Sequence, residues 1–470
     1  MNFKKHIFYL SILTCFIFLM FTSSCERDLS DDATLATFPK TGEIYTDSFV
    51  SMGSDFYLPF ADSKPDAFSI DNEEGYQSNS SIRIDVPNAV DPNGNYAGAI
   101  FRVDGAPRDL TGFNALTFWV KASRGVSIDA IGFGQDFLGD KYQVTANNVN
   151  VDTNWSQVTI PIPDASKLIE ERGAFWYAMG TQGTGGSAYI VWFDEIKFVN
   201  LATVAQPRPA ISNGNDIVTN SFTGVNLLVS GLIETFSLGS GADQVVTVAP
   251  NYYNFTSSDE SVATVDDLGN ITVNAAGTTT ITATLGSLNA AGSLTINSQG
   301  AFQLPPAPTL DASRVISIFS DVYTNVPVDY YNGFWLPGSS TGSADFSVNG
   351  DNILNYTDFN YVGTQTGNPL TDASNMTMIH FDMYVPGVIP PNFDFLISIE
   401  DWGANGIDNG GDDTRQQIFV RRNQVVADTW ISIDAPLTLV NKNNIGLIIY
   451  ENINGSSLRN FYLDNVYYYN

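Results

Sequence analysis

The side chains that could do chemistry in this 470-residue sequence are mostly carboxylates, because the chain has 50 Asp and Glu but only 2 His. Paired carboxylates can hydrolyse a glycosidic bond when they lie about 5–5.5 Å apart in retaining enzymes, or further apart in inverting ones. Glu400 and Asp401 are adjacent, however, and adjacent strand residues point to opposite faces. Asp408, Asp412 and Asp413 lie in a Gly-rich stretch that is typical of a turn. The sequence also has no Gly-x-Ser-x-Gly elbow and no phosphate-cradling glycine loop, so it predicts a non-catalytic protein.

Aromatic side chains offer a second chemistry, because flat rings stack on the C–H faces of sugars and 13% of the residues are aromatic. Most of these rings must be buried, so only rings in polar loops are candidates for binding. Trp335 lies in the turn-rich segment 330–338, and Trp402 lies where a predicted strand opens into a Gly/Asn loop. The predicted glycan-binding residues are Trp335, Trp402, Tyr331, Phe334, Trp176 and Tyr177. The alternative is that these rings cap the edges of the fold.

The other tryptophans follow patterns that predict structural roles. Trp119 lies within the apolar run 115–120, which predicts a core position. Trp155 and Trp430 occupy matching places in two similar segments, and Trp192 lies in a predicted closing strand. We therefore expect all four rings to pack in a core or at its rim.

The elements that must position these side chains are predicted to be short strands. Alternating β-branched and aromatic residues recur at 157–162, 278–284 and 393–399, between clusters of Gly, Asn and Asp. Helical periodicity is nearly absent. The pattern predicts an all-β chain of three β-sandwich domains in tandem.

Two proline-rich stretches, at 206–209 and 304–309, indicate semi-rigid linkers between these domains. The predicted organisation is a signal peptide at 1–24, an acidic tether at 25–39, an N-terminal domain at 40–203, a middle domain at 210–299, a linker at 300–309 and a C-terminal domain at 310–470.

The first 25 residues have the pattern of an export signal. Lys4 and Lys5 precede an apolar run at 7–21, which is shorter than the roughly 20 residues of a membrane-spanning helix, and small residues then lead to Cys25. The segment resembles a bacterial lipoprotein signal, which implies lipidation of Cys25 and an outer-membrane anchor. The alternative is a plain secretory signal that leaves Cys25 as a free thiol. The acidic stretch 26–32 resembles the surface-export signal of Bacteroidetes lipoproteins, and it also reads as a solvated tether.

Two further resemblances concern the domains. The segments 257–266, 268–273 and 276–284 resemble the bacterial Ig-like domain of group 2, which usually acts as a spacer. The outer two domains share a central apolar strand, a late Trp-containing strand and a closing strand with an Asp, at 192–198 and 461–467. That order resembles carbohydrate-binding modules of the jelly-roll β-sandwich type. The C-terminal domain further resembles modules appended to laminarinases.

The same resemblance implies a structural Ca²⁺ held by the acid of the closing strand. Calcium takes 6–8 oxygen ligands, several of them backbone carbonyls. The ligands implied are Asp464, Asp321 and Asn352 in the C-terminal domain, with Asp351 beside them, and Asp194 and Glu73 in the N-terminal domain, with Asp71. The alternative is that these residues cap turns.

The net charge of −29 excludes nucleic acid as a partner, because so acidic a chain cannot bind a polyanion by releasing its counterions. The whole chain resembles the surface glycan-binding lipoproteins of Bacteroidetes polysaccharide-utilisation systems (SusE-like). This resemblance implies capture of a neutral polysaccharide, with laminarin (a β-1,3-glucan) as the first candidate, and a transporter complex of the same system as partner. A surface adhesin or structural Ig-like protein, and a glycoside hydrolase, stay open as alternatives.

Overall fold

The structure is a computed structural model that describes residues 37–60, 62–333, 335 and 338–470. The described residues form 33 strands and six one-turn 3-10 helices, which confirms the all-β prediction. None of the helices in these ranges is long and apolar enough to cross a membrane. The 3-10 helices are Ala165–Lys167, Gln182–Thr184, Ser212–Gly214, Pro250–Tyr252, Ala312–Arg314 and Arg422–Gln424.

Each domain contributes eleven strands. The N-terminal domain has β1 (Glu43–Tyr45), β2 (Tyr57–Pro59), β3 (Phe68–Asp71), β4 (Ser81–Val86), β5 (Ala97–Arg102), β6 (Ala115–Ala122), β7 (Val126–Phe133), β8 (Val144–Val151), β9 (Ser156–Pro161), β10 (Gly173–Met179) and β11 (Tyr189–Val199). The middle domain has β12 (Ala205–Ala210), β13 (Asp216–Thr223), β14 (Asn226–Leu228), β15 (Ile233–Ser237), β16 (Asp243–Val248), β17 (Tyr253–Ser257), β18 (Ala263–Val265), β19 (Asn270–Val273), β20 (Gly277–Leu285), β21 (Leu288–Asn289) and β22 (Ser293–Ala301). The C-terminal domain has β23 (Val315–Phe319), β24 (Tyr330–Gly333), β25 (Gly342–Val348), β26 (Asp351–Thr357), β27 (Tyr361–Gln365), β28 (Met378–Tyr384), β29 (Asp394–Asp401), β30 (Thr414–Arg421), β31 (Trp430–Pro436), β32 (Ile445–Asn452) and β33 (Phe461–Tyr469).

The outer two domains have the same strand order. In each, a back sheet contains the first and last strands: β3-β4-β11-β6-β9 with β1 on β11, and β25-β26-β33-β28-β31 with β23 on β33. A front sheet packs against it: β2-β5-β10-β7-β8 in the N-terminal domain and β24-β27-β32-β29-β30 in the C-terminal domain. The middle domain pairs the sheets β13-β22-β20-β17 and β14-β19-β18. The three tandem sandwiches predicted from the sequence are therefore present.

The N-terminal and middle domains are joined more tightly than a linker would join them. Strands β12, β15 and β16 extend the N-terminal front sheet, because Val144 pairs with Val248 across the boundary. One hydrophobic core runs through both domains. The stretch 206–209 lies inside β12, so the linker predicted there is wrong. β12 is an edge strand, where a proline removes no hydrogen bond that the sheet needs.

Candidate functional site

The outer face of the C-terminal front sheet, called the C-terminal face below, brings aromatic and polar side chains together. Strand alternation sends Phe395, Ile397 and Ile399 of β29 into the core and leaves the intervening residues on the outside. The strand register then aligns the outward residues of β27, β32, β29 and β30 in three rows across the sheet. The first row is Gln365, Leu447, Glu400 and Arg415, and the second is Gly363, Ile449, Ser398 and Gln417. The third row is Tyr361, Glu451, Leu396 and Phe419.

Three rings, those of Trp335, Tyr361 and Tyr330, form an aromatic platform at the β24–β27 end of this face. Trp335 lies directly over Gly363, where an added Cβ would come within 2.1 Å of the indole Cη2. The rings of Trp335 and Tyr361 are nearly parallel, with centroids 6.0 Å apart and 14° between their planes. The Tyr361 hydroxyl donates to the Trp335 carbonyl oxygen at 2.8 Å, and the Tyr330 hydroxyl donates to Gln365. The platform is thus fixed by contacts, while the Trp335 side chain stays partly exposed.

A polar cluster lies beside the platform, centred on Arg415. Its guanidinium donates to Glu451 Oε2 at 3.0 Å and to Ser398 Oγ at 2.8 Å, and its Nε lies 3.3 Å from Glu400 Oε1. Burial raises the pKa of Glu400; Arg415 opposes that rise and neighbouring carboxylates add to it. The cluster presents fixed donors and acceptors next to flat rings, which is the combination that a sugar ring requires.

Trp402 differs from the exposed ring that its loop position predicts. It is only 9% exposed and packs against Gly446, where a Cβ would approach its Cε2 to 2.4 Å. Its indole Nε1 has no hydrogen-bond partner among the described residues. Trp402 therefore borders the C-terminal face but offers little ring surface for stacking.

Tyr331 is half-buried, packs against the core and is not part of the platform; that it binds a glycan stays a prediction. Its hydroxyl donates to the Ile318 carbonyl at 3.0 Å, and its ring meets Phe319 edge-on in the core. Alternation along β24 is the reason, because it turns Tyr330 outward and Tyr331 inward. Phe334 lies outside the described residues.

In the N-terminal domain, Trp176 and Tyr177 of β10 face opposite ways. Tyr177 is fully buried within the sandwich core, so the prediction that it binds a glycan is wrong. Trp176 lies on the outer face of the front sheet between Ile100 and Gly132, but only 6% of it is exposed. Its Nε1 also lacks a partner in the described ranges. Trp176 thus forms the floor of this face and is not a free stacking ring.

A cleft of about 280 Å³ lies next to Trp176 on the same sheet. Small residues leave it open, among them Ala178 and Gly180, and Asp129 accepts a hydrogen bond from the Gly180 amide at 2.7 Å. Tyr96 is the aromatic residue in the lining, and its ring centroid lies 6.2 Å from that of Phe60, which packs over Gly98. The N-terminal front sheet therefore has a cleft of its own on its outer face.

The calcium ligands implied for the C-terminal domain lie near one another. Asp464 is 2% exposed, and burial raises its pKa to about 8, with further contributions from Asp351, Asp321 and Asp382. Burial and the adjoining Asp321 carboxyl likewise raise the pKa of Asp351. Asp321 accepts a hydrogen bond at 2.9 Å from the Asn352 amide. Crowded carboxyl groups of this kind are suited to a hard divalent cation.

The ligands implied for the N-terminal domain are arranged differently. The Asp194 carboxylate accepts hydrogen bonds at 2.7 Å from the backbone N–H groups of Tyr76 and Glu195. Glu73 is exposed, and its backbone N–H bonds to Asp71. Protein donors thus satisfy Asp194. In the described part of the chain, no group of three or more His, Cys, Asp or Glu side chains already forms a metal site.

Sequence reasoning missed several residues of the C-terminal face and misplaced one ring. Tyr330, Tyr361 and Arg415 were not among the predicted binding residues, although alternation along each strand could have marked their outward side. Trp119 was predicted to be core, yet it lies on the outside of the N-terminal back sheet and is partly exposed. Leu116, Phe118 and Val120 of the same strand face inward, so the alternation puts Trp119 outward.

Comparison with known families agrees with this architecture. Residues 43–200 match the family described as carbohydrate binding domain 30, and residues 240–296 match the bacterial Ig-like domain (group 2). The N-terminal domain therefore matches a carbohydrate-binding-domain family and the middle domain matches an Ig-like family, in agreement with the tandem β-sandwiches. No curated protein matches the chain.

Several solved structures are similar to parts of the chain. They include a family 11 carbohydrate-binding module from Clostridium thermocellum in complex with a β-1,3-1,4-mixed-linked tetrasaccharide (18% identity, 33% of this chain and 94% of that one, TM-score 0.24). A family 30 module of a cellulosomal cellulase from Clostridium thermocellum is 19% identical; the match covers 35% of this chain and 96% of that one, with a TM-score of 0.23. A tandem of two family 22 modules from Paenibacillus barcinonensis is 10% identical; the match covers 93% of this chain and 99% of that one, with a TM-score of 0.22. Likeness at these identities and scores carries no functional argument.

Proposed function

We propose that this protein binds a neutral polysaccharide at the cell surface without cleaving it, with laminarin or another β-1,3-glucan as the first candidate. The observation that carries the proposal is the aromatic platform of Trp335, Tyr361 and Tyr330 beside the Arg415 cluster. Rings of this kind cover the apolar face of a sugar, and the adjoining carboxylates and amides meet its hydroxyls.

Charge supports the choice of a neutral ligand. The carboxylates on and around the C-terminal face are those of Asp329, Glu400, Glu451, Asp408 and Asp413. Arg415 contacts two of these groups, and Arg421, a second arginine on the outward side of β30, pairs with a further carboxylate, Asp394. An anionic polysaccharide such as alginate would approach a surface that is also negatively charged, and electrostatic repulsion would oppose its binding.

The arrangement also supports binding without hydrolysis. A glycosidase needs one carboxylic acid that can protonate the leaving group and one free carboxylate. Arg415 contacts both Glu400 and Glu451, which ties each carboxylate to the same cation. Both groups are therefore engaged in holding the polar cluster together.

We further propose that the chain is an outer-membrane lipoprotein, anchored through Cys25 and acting with a transporter complex of its utilisation system. The support is the export-signal pattern of the first 25 residues, which lies outside the described residues. Two binding domains on one anchored chain would raise avidity, because binding by one domain raises the effective concentration at the other. Replacement of Cys25 by Ser should release the protein from the membrane fraction, and retention there would overturn the anchor.

We also propose one structural Ca²⁺ in the C-terminal domain. Asp464, Asp321, Asp351 and Asn352 supply the hard oxygen donors that this ion prefers, and backbone carbonyls or water would complete the shell. The ion would neutralise the crowded carboxylates and connect β33 to the start of β26 and to the loop after β23. Isothermal titration with CaCl₂ tests the site, and absence of binding to the metal-stripped protein would overturn it.

Affinity electrophoresis of the full chain against laminarin, mixed-linkage glucan and alginate tests the proposed function. We expect retardation by a neutral glucan and none by alginate. Trp335→Ala should lower the affinity at least tenfold, about 1.4 kcal/mol, because the indole is the largest ring of the platform. Val388→Ala removes a 90% exposed side chain from the loop between β28 and β29 and should leave binding unchanged. Retardation by no neutral glycan would refute the proposal.

A further inference from the structure

The back sheets of the two outer domains can be aligned through their matched acids, Asp194 and Asp464. Two residues earlier, Trp192 pairs with Lys121 in the N-terminal domain. At the same place in the C-terminal domain Tyr462 pairs with Tyr384. The next strand adds Trp155 near Lys121 in one domain and Trp430 opposite Tyr384 in the other. The two domains therefore carry equivalent trios of side chains on their outer back faces.

In the C-terminal domain this trio is a domain interface. Phe302, which follows β22 of the middle domain, has its ring centroid 5.2 Å from that of Tyr384, 6.0 Å from that of Trp430 and 5.6 Å from that of Tyr462. The Trp430 indole donates to the Gln303 carbonyl at 2.6 Å. The contact belongs to a small buried cluster of aromatic and aliphatic side chains that joins the two domains.

In the N-terminal domain the ring, cation–π, ion-pair and side-chain hydrogen-bond contacts of the equivalent trio are made with residues of the same domain. Lys121 takes the place of the central tyrosine, and its ammonium lies 5.7 Å from the Trp155 ring and 5.0 Å from the Trp192 ring. Two carboxylates fix the rings, because Trp192 Nε1 donates to Asp71 at 2.9 Å and Trp155 Nε1 donates to Glu74 at 3.4 Å. The two indoles are thus held in place with both N–H groups already satisfied.

A second pair of rings extends this surface. Tyr76 stacks on Trp119 with centroids 3.7 Å apart and 10° between the planes, and it meets Trp155 nearly edge-on at 6.2 Å. All four rings are partly exposed. The N-terminal back face therefore carries a connected aromatic surface of Trp155, Trp192, Trp119 and Tyr76.

The charges around these rings indicate what kind of ligand the surface suits. Lys121 pairs with Glu74 at 2.9 Å, and Arg83 pairs with Asp85 at 2.8 Å and with Asp71 at 3.7 Å. A protein domain docked there, as the middle domain docks on the C-terminal counterpart, would have to desolvate these ion pairs at a large cost. The pairs also leave little net charge to attract an ionic ligand.

We propose that this back face is a further binding surface for a neutral glycan, separate from the front sheets. The ligand that fits is uncharged, has flat C–H faces for the pre-oriented indoles, and has hydroxyls for the surrounding carboxylates and guanidinium. The inference rests on the proposed function, because it assigns a second surface for the same class of ligand.

Titration of the full chain with laminarin, in a Trp335→Ala background, tests this surface apart from the C-terminal face. We expect residual binding that falls at least tenfold when Trp192→Ala is added and that Trp192→Phe largely preserves. Urea unfolding of each variant checks that the fold is kept. Trp155→Ala, which leaves Trp192 in place, should weaken the residual binding in the same way.

Four results would overturn the inference. If Trp335→Ala abolishes all binding, the back face binds no glycan while the proposed function stands. The same conclusion follows if neither Trp192→Ala nor Trp155→Ala changes the residual binding. If the substitutions instead dissociate a dimer in sedimentation velocity, the occupant is a second copy of the chain. If the wild-type protein binds no glycan at all, the proposed function itself fails.

Discussion

Glu234 provides a quantitative test of how the N-terminal and middle domains are joined. It lies in β15 between β12 and β16, is fully buried, and has no hydrogen-bond partner for either carboxyl oxygen among the described residues. Burial raises its pKa from 4.5 to about 8, and Asp164 of the N-terminal domain adds to the rise. The side chain is therefore expected to stay protonated in the folded protein at neutral pH.

The sign of the effect follows from proton linkage. Below about pH 4.5 the folded and unfolded chains both hold the proton, so the stability that the raised pKa contributes is fully present there. As the pH rises to about 8 the unfolded chain loses a proton that the folded chain keeps, and the free energy of unfolding falls by about 1.4 kcal/mol per pH unit. Over the whole window the loss is about 5 kcal/mol.

Urea unfolding at pH 5, 6, 7, 8 and 9 measures this slope. Glu234→Gln should remove the part of the slope that comes from this site, so the stability advantage of the variant should grow with pH and level off above about pH 8. Glu260→Gln, which changes an exposed carboxylate of the same domain, should run parallel to the wild type. Parallel curves for Glu234→Gln and the wild type would refute a buried, unpaired Glu234.

Three further outcomes are expected. Gly363→Ala should weaken laminarin binding about as much as Trp335→Ala in calorimetric titration, because the new methyl group would occupy the space of the indole; full affinity would contradict the platform geometry. EDTA should lower the unfolding temperature of the wild type and of Asp194→Asn, but have no effect on Asp464→Asn, and an equal effect on all three in scanning calorimetry would argue against a Ca²⁺ at Asp464. Phe302→Ala should loosen the middle and C-terminal domains and increase the radius of gyration in X-ray scattering, since loss of a buried phenylalanine costs about 3–5 kcal/mol; an unchanged radius would contradict the interface.

The sequence predicted the fold well because its signals are local. Alternation and turn residues indicate strands within a few positions, and three tandem sandwiches follow from their spacing. The prolines at 206–209 predict a linker because proline lacks a backbone N–H donor, but an edge strand such as β12 tolerates that loss, and the sequence does not show which strands lie at an edge.

The site was only partly predictable, because it depends on register and on distant contacts. The loop position of Trp335 predicts an accessible ring, and the ring is partly exposed. The predicted set contains Tyr331 and not Tyr330, and a shift of one residue reverses the face of every side chain in a strand. The burial of Trp402 depends on Gly446, more than forty positions away in the chain, which no local pattern could show. The outward position of Trp119, by contrast, follows from a local pattern, because Leu116, Phe118 and Val120 of the same strand alternate with it and face inward.

Isothermal titration of laminarin into the full wild-type chain tests the central proposal most directly, with the Trp335→Ala variant and alginate measured alongside. The geometry of the C-terminal face predicts saturable heat with laminarin, a loss of at least tenfold in affinity for the variant, and no heat with alginate. Absence of heat with laminarin and every other neutral glucan, or equal affinity in the wild type and the variant, would contradict it.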